Sequence, residues 1–266
     1  MKTYLAIGSL DKFRINLFKG EGVQRVLVSY ASLQGKGDDQ IRIPFEDVML
    51  DSGAFSAETK VAKVSIEAYS FWLETNLSQH PEIKTYINLD DLSSFDISIK
   101  NLLYMESLGL LPMPVYHYGE PEEILDWMCS KYEYVGLGGM AIGTMPNVSL
   151  QTFWEQIHQK YPNTKFHIFG VGTLTPFFNY QPYSMDSTSW NVGSRFGDIM
   201  GYREGVPFRW GAREMYGFKF FFNTEELFKN NIRATLDWEK LEWLKNVPGR
   251  KEWIEDVARN EQLKLV

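Results

Sequence analysis

Short apolar runs punctuate the chain up to about residue 190: TYLAIG, RVLVSY, DVMLD, KTYINLD, MPVYHY, YEYVGL, KFHIFGV and YSMD. They are rich in β-branched and aromatic residues and several are almost continuously apolar, the pattern of strands covered on both faces. Between the later runs lie segments with helical start and stop signals. SIEAYSFWLETNL opens on Ser65 with Glu67 in its first turn, and Ile66, Tyr69, Trp72, Leu73 and Leu77 make one apolar face. DISIKNLLYMESLG opens on Asp96 and closes on Gly109. EPEEILDWMCSKY has Pro121 at a first helical position followed by acids, and SLQTFWEQIHQKY opens on Ser149.

Strand then helix, repeated, calls for parallel strands joined by right-handed crossovers. Eight such strands predict a (β/α)8 TIM barrel, whose common size of about 250 residues suits this chain. A doubly wound open sheet fits less well, because AIGSLDKF, after the first strand, holds one glycine where a phosphate-binding turn needs several. Beyond residue 220, NTEELFKNNIRATLDWEKLEWLKN and GRKEWIEDVARNEQL read as helices packed on the barrel's outside or end. With no linker and no internal repeat, residues 1–266 are expected to form one domain, with 220–266 as a helical extension.

Composition adds limits. Of 266 residues, 44% are hydrophobic and 15% aromatic, enough to bury a large core. The opening MKTYLAIGSLDKF is too short in apolar length for a signal peptide or a membrane span, so a cytoplasmic protein without membrane contact is expected. Cys129 is the one cysteine, which excludes a disulfide framework and a cysteine-rich zinc site and points to a packing role. The net charge of −7 argues against indiscriminate binding to phosphate backbones. A local exception runs from 195 to 213, where Arg195, Arg203, Arg209 and Arg213 outnumber Asp198 and Glu204 and alternate with Tyr202, Phe208 and Trp210. A guanidinium beside an aromatic ring can face phosphate and base together; ordinary surface ion pairing is the equal alternative.

Candidate chemistry lies at strand ends, where barrels of this class carry their sites. Asp51 ends VMLD, Asp90 and Asp91 end TYINLDD, and Asp186 ends YSMD. One such aspartate commonly caps the following helix, but three strand ends that finish in aspartate suggest a site. Asp51 and Asp186 each follow a Met-containing apolar run and precede a serine, so both carboxylates would emerge at the mouth. Such a pair can divide labour, one acting as nucleophile and the other exchanging a proton with a leaving group, as glycosyl chemistry requires. Gly138 and Gly139 would let a flat ligand approach the backbone, or simply form a turn. Asp90 or Asp91, as acceptor-only groups, would suit an edge with two N–H donors, such as that of guanine. His80, His158 and His167 lack a second His or Cys at metal-ligand spacing and are read as surface or packing residues.

These elements resemble the guanine transglycosylases of the queuine tRNA-ribosyltransferase superfamily, which exchange guanine for a 7-deazaguanine base. DSGAF (Asp51, Ser52, Gly53, Phe55), GGMAIG (from Gly138), FGVGT (Gly170, Gly172) and, after a short spacer, Asp186 are similar to four of that family's elements, in order, over residues about 45 to 200. The resemblance implies that Asp186 is the nucleophile, Asp51 the general acid/base and Asp90 the base-reading acid, with Gly138 and Gly139 meeting the purine carbonyl. Where the family has a glutamine before a glycine, VYHYGE offers His117 or Tyr118 before Gly119. The family's zinc-binding Cys/Cys/Cys/His extension is missing, so the compact phage-type members that modify DNA are more similar. The implied activity is exchange of guanine in nucleic acid, DNA in preference to tRNA, for a free 7-deazaguanine base, through an aspartyl-glycosyl intermediate and without cofactor or metal. Transfer to tRNA, hydrolytic release of the base, and a non-catalytic nucleic-acid-binding barrel are the alternatives. The sequence leaves open which deazapurine enters and whether the chain forms a homodimer.

Overall fold

Every one of the eight apolar runs forms a strand in the structure, a computed structural model that describes residues 1–34, 43–54, 64–139, 147–172, 174–177, 179–191, 198–203, 206–211 and 224–239. They are β1 Lys2–Ile7, β2 Arg25–Ser29, β3 Asp47–Asp51, β4 Ile83–Tyr86, β5 Val115–His117, β6 Tyr134–Gly138, β7 Lys165–Ile168 and β8 Ser184–Ser187. All pair in parallel, each beside its neighbours in sequence, and β1 also pairs with β8 through Lys2–Ser184 and Tyr4–Asp186. The ring is completed between β4 and β5 by a bridge from Ile87 to Met113. There the Met113 N–H donates to the Tyr86 carbonyl (2.8 Å) and the Asn88 N–H to the Met113 carbonyl (3.0 Å). Pro112 and Pro114 flank Met113 and have no N–H to give, so this seam is thinly bonded.

The registers also fix the barrel's geometry. Stepping from Asp51 across every strand pair in turn returns to position 43 of the same chain segment, an offset of 8 residues from 51 to 43. Eight strands with a shear of 8 define the (β/α)8 barrel, whose strands lean about 36° from the axis.

Six α-helices lie among the described residues: α1 Lys12–Gly20, α2 Ile66–Asn76, α3 Phe95–Ser107, α4 Glu122–Lys131, α5 Asn147–Lys160 and α6 Thr224–Leu236. Ser65 caps α2 as expected, its hydroxyl accepting the Ala68 N–H at 3.1 Å. Other starts shift by one or two residues. Ser94 is the cap position of α3, leaving Asp96 to place charge in the first turn. Pro121 is itself the cap residue of α4, and α5 opens at Asn147 instead of Ser149. At the end of α3 the left-handed Gly109 (φ 81°) lets its own N–H reach Glu106 and the Leu110 N–H reach Met105, closing the last turn. Helix α1, not expected from the sequence, is capped by Asp11, whose carboxylate accepts the Arg14 N–H at 2.9 Å.

Alternation along each strand divides its side chains between two environments. Outward residues such as Val26, Val28, Val48 and Leu50 pack with Phe18, Tyr69 and Leu73 of the helices. On the other side of the barrel Val135, Leu137, Phe166, Ile168 and Met185 pack with Leu125 and Trp154. Inward residues form a third cluster: Tyr4, Leu27, Met49, Ile87, Met113 and Val115, with Ala6, Tyr134 and Phe169 against it. Each fully buried aliphatic or aromatic side chain contributes about 1.5–3 kcal/mol, so these three clusters carry the fold.

Helix α6 sends Ile232 into the first outer cluster and Ala234 into the second, so it straddles the junction between them. Just after it, Glu239 accepts the Thr3 N–H at 2.7 Å and both oxygens engage Arg25 at 3.0 Å. Between β8 and α6 lies an antiparallel hairpin, β9 Asp198–Arg203 with β10 Val206–Gly211, where the sequence reading placed no strands. The Met200 N–H ties it to Asn231 of α6 at 2.8 Å. The expected helices beyond residue 239 lie outside the described residues. Among those residues no helix is long and apolar enough to cross a membrane.

Because two backbone bonds close the β4–β5 seam while a four-residue ladder joins β1 to β8, local opening should begin at the former. Hydrogen exchange read by mass spectrometry should show the peptides covering 83–90 and 110–117 exchanging before those covering 2–7 and 184–187. Equal protection of the two seams would contradict this.

Candidate active site

Alternation sends Asp47, Met49 and Asp51 of β3 inward, with Asp51 last, at the C-terminal rim. On β8 it sends Ser184 and Asp186 inward. Whether the two carboxylates meet depends on shear. Along the ladders, Asp51 is level with Ser29, and extending the registers through β1 reaches position 190 on the β8 side. With one residue of offset per strand, three strand steps bring the point at equal height on β8 down to 187, next to Asp186. The lean of the strands therefore brings the two acids to one height across the mouth.

Their electrostatics agree. Burial, followed by the charge of Asp186, pushes the Asp51 carboxyl from its ordinary 3.8 up to about 6, against hydrogen bonds from the Gly53 and Ser52 N–H groups. The Gly53 bond, 3.2 Å to Oδ2, comes from a turn that accepts only glycine. Gly53 has φ 89°, and a Cβ there would sit 2.8 Å from both the Ala31 Cβ and the Ser29 Oγ. Ser52 beside it is fully buried.

Asp186 is 5% exposed and held from behind. The N–H of Gly170, itself left-handed at φ 67°, donates to Oδ1 at 2.8 Å. His167 Nε2 lies 3.4 Å from the same oxygen. The Val171 N–H donates to the Asp186 carbonyl at 2.9 Å, and Ser187 Oγ to the Val171 carbonyl at 2.7 Å, so the β7 and β8 ends move as one. Gly172 lies in open space just beyond.

Of the two consecutive acids after β4, only Asp90 belongs to the mouth. Its Oδ2 stands 3.8 Å from His117 Nε2, and its Oδ1 accepts from Asn88 Nδ2 at 3.0 Å. Asp91 instead folds back on its own turn, accepting the Ser93 N–H at 2.9 Å. Burial drives the Asp90 carboxyl up to about 7, with the charges of Asp51 and Glu120 adding to it and those of His117 and the Asn88 bond opposing.

His117 and Tyr118 part company in the same way. His117 points inward at the end of β5; its ring covers Gly138, where a Cβ would lie 2.8 Å from the ring's Cδ2. Its Nδ1 lies 3.4 Å from Glu120 Oε1, and its own N–H donates to Glu120 Oε2 at 2.9 Å. Burial works to lower the imidazole's proton affinity, but Glu120 and Asp90 outweigh it and leave the net shift upward. Tyr118 is 51% exposed and stacks edge-on against Phe153 of α5, away from Asp90. Gly139, at φ 77°, turns the chain out of β6 beneath it.

The remaining expectations divide. His80 stacks on Trp72 and pairs with Glu82, and His158 packs on Trp154 and Tyr180, both packing roles as expected. His167 is also fully buried, but inside the barrel and against Asp186, a position its lack of metal-ligand spacing did not reveal. Arg203 and Arg209 lie on the hairpin strands, opposite Val206 and Met200. Phe55, Arg195 and Arg213 fall outside the described residues. The chain matches no protein-family model, and no curated protein matches it.

Asp51 and Asp90 hold protons more tightly folded than unfolded, so protonation favours the fold. Their contribution is complete below about pH 4 and is lost as pH rises through about 6 and 7. Asp51→Asn and Asp90→Asn should therefore raise the thermal midpoint at pH 8 by a few degrees, at about 2–4 °C per kcal/mol for a chain of this size, and much less at pH 4. Thermal unfolding at both pH values checks this; equal shifts at the two would refute it.

Proposed function

We propose that the barrel mouth exchanges guanine in nucleic acid, preferentially DNA, for a free 7-deazaguanine base. The carrying observation is the pair Asp51 and Asp186, set at one height across the rim, where burial first and the Asp186 charge second let Asp51 hold its proton up to about pH 6. The motif resemblance and the placement of Asp90 within reach of the Asp51 charge support the same reading.

A guanosine turned out of its stack enters the mouth. One oxygen of Asp186 attacks the sugar C1′, and the bond to the purine nitrogen breaks with its electron pair moving to the base. The departing guanine takes the proton of Asp51. A free deazapurine then gives its N–H proton to the Asp51 carboxylate, and its nitrogen displaces Asp186, restoring the enzyme. An Asp51 that holds its proton up to about pH 6 suits the acid half of this division of labour. Asp90 accepts from the N1–H and 2-amino groups of the base, and His117, inward where Tyr118 is not, donates to its carbonyl. Gly138 lies under that ring, so its missing side chain makes room for His117.

The two halves use Asp51 in opposite states. In single-turnover assays, formation of the covalent adduct should slow as pH rises past about 6, while resolution of the adduct by added base should speed up. Asp51→Asn should lower both by about 10²–10⁴-fold, the usual span for general acid–base catalysis, and Asp186→Asn should abolish the denaturation-resistant adduct. Labelled guanine offered with duplex DNA or tRNA separates the substrates: label entering tRNA alone rejects the DNA preference. Free guanine released without any incoming base favours hydrolysis, and an Asp186→Asn protein indistinguishable from wild type favours a binding barrel.

A further inference from the structure

The interior side chains behind Asp186 form a chain of their own. Tyr134 of β6, Ser184 of β8 and His167 of β7 all face inward. The Tyr134 hydroxyl is 2.5 Å from Ser184 Oγ, and Ser184 Oγ is 2.7 Å from His167 Nδ1. His167 Nε2 faces Asp186 Oδ1 at 3.4 Å. The imidazole is clamped edge-on between Tyr4, at 5.9 Å, and Phe169, at 4.5 Å between ring centroids, and is wholly shielded from solvent. Gly136 leaves the room that Phe169 fills, since a Cβ there would lie 2.6 Å from its ring.

Hydrogen-bond direction along this chain follows from its ends. A neutral imidazole has one N–H and one bare nitrogen. If Nδ1 carried the proton, Nε2 would turn a lone pair toward a carboxylate oxygen. If instead Tyr134 donates to Ser184 and Ser184 to Nδ1, the proton sits on Nε2 and points at Asp186. Each group is then satisfied, the arrangement buried polar groups require. The consequence falls on the carboxylate: both the Gly170 N–H and the His167 Nε2–H converge on Oδ1, and among the described residues no donor reaches Oδ2.

We propose that His167 is a positioning residue, locked as its Nε2–H tautomer by Ser184 and Tyr134, which turns Asp186 so that Oδ2 is the attacking oxygen. The inference rests on the transglycosylase reading and adds to it the orientation of the nucleophile. His167 touches no substrate; it acts through Asp186.

Two measurements on the full chain test it. Nitrogen NMR of wild-type protein should find the His167 proton on Nε2; a proton on Nδ1 overturns the proposal whatever the activity. In the adduct assay at saturating nucleic acid, His167→Leu should slow adduct formation about 10-fold to 100-fold, the scale of one hydrogen bond to a charged group, with nucleic-acid affinity held within about twofold. His167→Gln, which restores an N–H donor, should recover part of the loss. Ser184→Ala, a gentler change should the core reject leucine, should slow the same step without altering affinity. Wild-type rates in both His167→Leu and Ser184→Ala overturn the positioning role alone. A wild-type protein that forms no adduct with either DNA or tRNA overturns the transglycosylase reading and this use of His167 with it.

Discussion

Closure of the barrel is the constraint from which the rest follows. The pairing of β1 with β8 and the bridge at Met113 turn an eight-stranded sheet into a ring, and the ring's shear sets the height of every inward side chain. Asp51 and Asp186 belong to strands with two others between them. An open sheet would hold them at different levels along the strands. Only a leaning, closed ring places them face to face, so the chemistry proposed for this mouth is a property of the topology before it is one of the residues.

That placement is costly, and the surroundings show how it is tolerated. Asp51, Asp90, Glu120 and Asp186 all converge on a largely dehydrated space, where like charges cannot all stay ionised at little cost. Backbone N–H groups from Gly53, Ser52 and Gly170 point at the Asp51 and Asp186 carboxylates, and His117 stands between Asp90 and Glu120. Two of those N–H groups come from glycines with left-handed backbones, so the turns that solvate the acids could not be built from other residues without strain. Instability concentrated at a site in this way is the usual signature of function selected over rigidity.

Much of this was legible in the sequence. The eight strands were, because both faces of each are covered and their apolar runs stand out. So was the gathering of strand-end acids, since parallel strands all finish at one rim. Helix α1 was missed although Asp11 is a competent cap, because its face reads as mixed: Phe13 is exposed while Leu17 and Phe18 are buried. The hairpin at 198–211 was not legible because Gly201 and Pro207, residues disfavoured inside strands, interrupt its two runs. His117 and Tyr118 could have been told apart by period two, counting inward from Val115. His167 could not: in KFHI a buried histidine looks like packing, and only the register that sets it beside Asp186 gives it a partner.

The first strand illustrates a different consequence of the ring. Lys2 donates its N–H to Tyr183, and Thr3 donates to Glu239 beyond α6, so β1 finds partners far along the chain, up to 236 residues away. On the ribosome, one edge of β1 must wait, unpaired and apolar, while most of the polypeptide is synthesised. Closure of the ring is thus deferred until β8 has been made, and holdase chaperones would have their longest opportunity at β1.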